Sequence, residues 1–80
     1  MVIKLFQEKQ NQKTVSLLIE FSDQKSNVSV EIQPGLIQKY DENLNLIRIE
    51  VKDAHLINSI IEKLDEIIEK PGIKVIRKVA

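Results

Sequence analysis

One stretch of this 80-residue chain has helical periodicity, and it stands alone among segments that alternate. In "DAHLINSIIEKLDEIIEKPG" the apolar residues are Leu56, Ile57, Ile60, Ile61, Leu64, Ile67 and Ile68. Their spacing draws a single stripe down an α-helix. Asp53 stands where an N-cap accepts from the free amides of the first turn. Pro71 cannot continue the helix, and Gly72 tolerates the turn that follows. A lone stripe must be buried against something, and the rest of the chain reads as strand. The pattern therefore predicts one helix laid on one face of a sheet.

The strands follow from two-residue alternation. "VIKLF" (2–6) is a first strand, and polar "QEKQNQK" (7–13) a loop. "TVSLLIEF" (14–21) sets Val15, Leu17, Ile19 and Phe21 on one face, with Leu18 on the other among Thr14, Ser16 and Glu20. "VSVEI" (28–32) groups Val28, Val30 and Ile32. Pro34-Gly35 marks a turn, since proline presets φ and glycine accepts positive φ. "LIQKY" (36–40), "LIRIEV" (46–51) and "IKVIRKV" (73–79) complete the set. The expected fold is α+β, in the order β-β-β-β-β-α-β. It is an antiparallel meander with one amphipathic helix on one face, and residues 1–80 form a single domain. Leu18 and Ile37 fall on the outer face, which makes them the candidate interface.

The segment "YDENLNLIRIE" (40–50) is a hairpin with leucine where a tight turn wants glycine. Pairing Leu36 with Val51, Gln38 with Ile49 and Tyr40 with Ile47 keeps the apolar residues together. A one-residue slip would scatter them. A two-residue turn at Asn43-Leu44 needs positive φ at both residues. For leucine that costs about 1–2 kcal/mol. The expectation is instead a four-residue loop, Glu42 to Asn45, with Leu44 at negative φ and Asn45 making the left-handed bend.

Residues 34–54, "PGLIQKYDENLNLIRIEVKDA", resemble a widespread prokaryotic family of small domains of unknown function. Its members typically read P-G-V-x-V-D-Y-D-x-D-G-x-x-V-G-I-E-I-x-x-A. Pro34, Gly35, Tyr40, Asp41, Ile49, Glu50 and Ala54 match. An upstream strand, A-L-Y-I-x-L-S-D, is echoed by "SLLIEFSD" (16–23), so the resemblance covers about residues 14–57. This chain departs at Lys39, where the family often has aspartate. It departs at Leu44 and Arg48, where the family often has glycine, and at His55, where serine is common. The family has no established activity. Some members are encoded beside a second small protein, in a layout similar to toxin–antitoxin pairs, so the resemblance implies a binding role.

The residue types themselves point away from catalysis. Twelve Lys+Arg balance twelve Asp+Glu, so no excess of cations exists to neutralise phosphates. There is no cysteine, hence no disulfide and no thiolate ligand. The one histidine, His55, lacks partner ligands at metal spacing. Asp41 and Glu50 lie apart along the hairpin, whereas acid–base pairs must converge. Asp41 reads as a turn stabiliser and Glu50 as the salt-bridge partner of Lys39. Tyr40, Asp53 and His55 remain the polar cluster around which a small-molecule site or an enzyme would form.

Glu62, Asp65, Glu66 and Glu69 read as a solvated helix face, and Lys74, Arg77 and Lys78 as a small basic end. The latter is a weak nucleic-acid footprint without interleaved aromatics. No apolar run approaches the roughly 20 residues that span a bilayer. The first residues are too polar for a signal peptide. The expectation is a cytoplasmic, non-enzymatic interaction module without catalytic residues, metal or cofactor. It would work as a homodimer or with a small protein partner, through the outer face or an edge strand.

Overall fold

The computed structural model describes residues 1–80. The strands are β1 (Val2–Gln7), β2 (Thr14–Glu20), β3 (Val28–Gln33), β4 (Leu36–Tyr40), β5 (Leu46–Val51) and β6 (Lys74–Val79). Between β5 and β6 lie α1 (Ala54–Glu62) and α2 (Leu64–Ile68). The element order is the expected one, with the helix divided in two.

The sheet is not the expected antiparallel meander. Its six strands run β3-β4-β5-β2-β1-β6, and β6 is parallel to β1. Burial explains the order. The inner residues of β4, β5, β2 and β1 form the rows Leu36–Val51–Leu17–Leu5 and Gln38–Ile49–Ile19–Ile3. Leu5, Leu17, Val51 and Ile3 are almost wholly buried. The strands whose inner residues are buried, β1, β2 and β5, lie inside the sheet, and β3, wholly exposed, is at an edge. The chain then travels from β5 to β6 across β2 and β1. Two parallel strands need such a crossover, and here it is the helical segment.

Ile57 of α1 and Leu64 of α2 join Ile3, Leu5, Leu17 and Val51 in one core cluster. Asp53 caps α1 as its position predicted: its carboxylate accepts from the Leu56 amide at 3.0 Å. The helix breaks at Lys63, with φ −99° and ψ 4°. Neither proline nor glycine marks the break, so the sequence carries no sign of it. A straight helix departs from a twisted sheet. The bend keeps Leu64 on the core, while Ile68, on the expected stripe, is left exposed.

The Pro34-Gly35 turn joins β3 to β4, with Gly35 at φ +80°. Its carbonyl accepts from the amides of Lys52, at 2.7 Å, and Asp53, at 3.3 Å. A β-carbon on Gly35 would lie 2.7 Å from the Asp53 nitrogen. Glycine is therefore required twice, by conformation and by contact. The turn fastens the β3–β4 hairpin to the start of α1.

The β4–β5 hairpin keeps the expected pairs Leu36–Val51 and Gln38–Ile49, but Tyr40 pairs with Leu46 rather than Ile47. A bulge intervenes, and the four-residue loop is absent. The Asp41 amide donates to the Asn45 carbonyl at 3.0 Å, and the Leu44 amide to the Asp41 carbonyl at 3.1 Å. The loop is thus Glu42-Asn43-Leu44, and Leu44 holds φ +62°. Three-residue hairpin loops place a left-handed residue at this position. The Asp41 carboxylate holds the turn, accepting from the Asn43 and Asn45 amides at 2.9 Å each. These bonds offset the strain at Leu44.

Two substitutions test these turns by thermal unfolding. Leu44 is 69% exposed, so Leu44→Gly removes strain and little packing. Strain relief, less the entropy glycine adds to the unfolded chain, is expected to stabilise by about 0.5–1 kcal/mol. An unchanged or lower Tm would contradict the turn geometry. Gly35→Ala combines a left-handed alanine with a backbone clash, and is expected to destabilise by at least about 2 kcal/mol. A wild-type Tm would show that the Gly35–Asp53 contact is not tight.

Candidate functional site

The three residues of the expected polar cluster do not converge. Asp53 is engaged as a helix cap beside Gly35. His55 is exposed in the first turn of α1. Tyr40 ends β4, five residues beyond Gly35, which is about 16 Å along a strand. Its hydroxyl donates to Gln38 Oε1 at 2.6 Å. Neither of the two surface depressions is lined by any of the three. No group of three or more His, Asp or Glu side chains is placed to hold a metal ion.

The first depression, of about 340 Å³, lies between the β2–β3 loop and the β4–β5 turn. Its lining is wholly polar and includes Asp41, Asn43 and Asn27. Asp41 is not a free acid there. The Asn45 amide holds its carboxyl below the ordinary value, against the opposing effect of desolvation and with help from the Asn45 side chain and the Asn43 amide. The carboxylate belongs to the turn.

The sheet's outer face carries two cross-strand rows. One is Glu31–Ile37–Glu50–Leu18–Lys4–Ile76, and the other Ser29–Lys39–Arg48–Glu20–Val2–Lys74. Leu18 and Ile37 do lie on this face, but Glu50 separates them. Lys4 and Arg48 contact Glu20 at 3.0 and 3.9 Å, and Lys39 and Lys52 contact Glu50 at 3.2 Å each. A second depression, of about 430 Å³, opens beside Phe6, Leu18, Lys39, Arg48 and Glu50. Burial pushes the Glu50 carboxyl up, but hydrogen bonds from Lys52 and Lys39 and their charges outweigh it. Its pKa therefore lies below the ordinary glutamate value. The Lys39–Glu50 bridge is the one that the sequence suggests. The face is a lattice of charges with apolar residues set singly within it.

The exposed apolar residues lie elsewhere, on the helix side of the sheet. The core packs on β1, β2 and β5 and reaches Leu36 of β4 and Val75 of β6, and β3 lies beyond it. All six residues of β3 are exposed. Val28, Val30 and Ile32 are 37%, 43% and 52% exposed, and Phe21 and Leu46 nearby are 48% and 37%. Val30 begins the row that continues through Gln38, Ile49, Ile19 and Ile3 into the core. These residues were legible as a strand face, but not as an uncovered one.

β6, the other edge, presents Lys74 and Lys78 on the outer face and Arg77 on the inner one. The three cations of the expected basic end therefore do not form one patch. No helix is long and apolar enough to cross a membrane. The chain matches no family model, no curated protein and no solved structure.

The two carboxylates make acid stability a test of the Asp41 turn and the Glu50 ion pairs. Both are depressed in the folded state, so their stabilisation is full above the unfolded pKa values, about 3.9 for Asp and 4.3 for Glu. It is lost as pH falls through the lower folded values. Urea midpoints are therefore expected to drop below about pH 4.5. Glu50→Gln should flatten that limb and cost up to about 1 kcal/mol at neutral pH. A Glu50→Gln acid limb as steep as wild type would exclude Glu50 as a contributor.

Proposed function

We propose that this chain is a non-enzymatic protein-interaction module, acting as a homodimer or as half of a small two-protein complex. The observation that carries the reading is the exposed apolar face of edge strand β3, Val28, Val30 and Ile32, with Phe21 and Leu46 also exposed where β2 ends and β5 begins. A free strand edge with an apolar stripe on one face is the form in which proteins recruit another strand or another surface. The chain's own helices are used up covering β1, β2 and β5. The resemblance of residues 34–54 to a family with paired small proteins agrees with a binding role, as an antitoxin-like or regulatory partner.

The outer face, with Leu18 and Ile37, is the weaker candidate for the contact. Four ion pairs thread it, and docking an apolar surface there would desolvate them. The cluster of Tyr40, Asp53 and His55 gives a small-molecule site no support, because its members are apart and two of them serve the fold.

Size-exclusion chromatography with light scattering, run at high protein concentration, tests the reading. The expected outcome is a mass above the 9.2 kDa of one chain, or a stoichiometric partner in pull-downs from the source cell. A clean monomer with no partner would overturn it.

A further inference from the structure

We infer that β3 is a self-pairing edge: β3 of a second copy adds antiparallel to it about a two-fold axis at Val30, joining two six-stranded sheets into one. This rests on the interaction-module reading and narrows it to one strand and one occupant.

The sheet has two edges, and only one is open to pairing. Along β6, Lys74, Arg77 and Lys78 place charge on both faces, which blunts an edge. β3 has a single charged residue, Glu31, and no proline. Its length and composition are those of a strand that accepts another.

Register follows from pattern and charge. A two-fold axis between residues would set the apolar face of one copy against the polar face of the other. An axis at Glu31 would set like charges opposite each other. An axis at Ser29 would carry Glu31 toward the turn that holds Asp41, because the Asn27 amide donates to the Tyr40 carbonyl just before it. An axis at Val30 pairs Val30 with its own copy, Val28 with Ile32, and Ser29 with Glu31. Apolar residues then meet across the axis on one face.

The same register is complementary in charge. Glu31 takes part in none of the four ion pairs within the chain. Ser29 neighbours Lys39 on β4, both on the outer face. In the dimer Glu31 therefore looks across a serine to Lys39 of the partner subunit. Two strand spacings separate them, about 10 Å between α-carbons. Glutamate and lysine side chains reaching toward each other span that gap, and the serine between them leaves the way clear. The two-fold axis makes the contact twice.

The bulge at Ile32 limits the regular ladder. The interface is small, below the roughly 1,200 Å² of stable complexes, so a dissociation constant in the micromolar range is expected.

Analytical ultracentrifugation from about 10 μM to about 1 mM brackets that range. Wild type is compared with Glu31→Lys, with Lys39→Glu, and with an equimolar mixture of the two variants. Wild type should dimerise with concentration. Each variant alone should weaken the dimer by about tenfold, since two attractions become two repulsions. The mixture should restore it, because opposite charges then meet at both positions. Glu31 is exposed and unpaired, so Glu31→Lys keeps the test alive should Lys39→Glu disturb the Glu50 bridge and the fold. A wild-type dimer indifferent to Glu31→Lys would overturn the β3 assignment and leave the interaction-module reading standing. A monomer at every concentration would overturn self-pairing. With a partner captured in pull-downs the broader reading would survive; without one it would fall too.

Discussion

The structure depends on a small act of burial: Ile57 and Leu64 closing over Ile3, Leu5, Leu17 and Val51. A chain of this size buries only about 60% of its unfolded surface, so few side chains can be fully enclosed. Seven residues are, and six of them belong to this cluster. The scarcity of covering surface sets the rest. Two short helices reach across β5, β2 and β1, and what lies beyond them stays open. The uncovered β3 edge is the consequence of a sheet wider than its helical layer.

The β3–β4 hairpin that carries this edge is not loosely attached. Gly35 presses against Asp53, and its carbonyl holds the Lys52 and Asp53 amides. Asp53 in turn caps α1. The hairpin, the residues that end β5 and the first turn of the helix are thus one mechanical unit. The conspicuous polar residues of the region are spent in building it. Asp41 closes a turn, Asp53 caps a helix and Glu50 anchors two lysines. A carboxylate with its lone pairs directed to backbone amides or held between cations is poorly placed for chemistry on a ligand. What the hairpin leaves free is edge and apolar surface, which suits recognition of another chain.

Leu44 shows how a local rule can be outweighed. Leucine avoids positive φ, and on that ground alone the bend belongs to Asn45. The turn nevertheless places Leu44 at φ +62°. Asp41 accepts from both the Asn43 and Asn45 amides, and Asn45 Nδ2 adds a longer contact at 3.3 Å. Those bonds demand a three-residue loop, and the loop demands a left-handed third residue. The helix break at Lys63 is a parallel case. Its residues favour a continuous helix, and the shape of the sheet beneath decides otherwise.

By itself the sequence determined the elements, their order and the caps between them. Alternation located the strands, the stripe from Leu56 to Ile67 located the helical segment, and Asp53 and Pro34-Gly35 marked its start and the β3–β4 turn. It also determined most of the β4–β5 register, because a slip there exposes Ile49 and Val51. Such features are encoded within a few residues by period and by turn chemistry. Only the tertiary structure decided which strands are neighbours, that β6 runs parallel to β1, and that Val28, Val30 and Ile32 go uncovered. Those outcomes turn on a competition among all the strands for two short helices. Every strand carries an apolar face, so no single segment reveals which of them will be left outside.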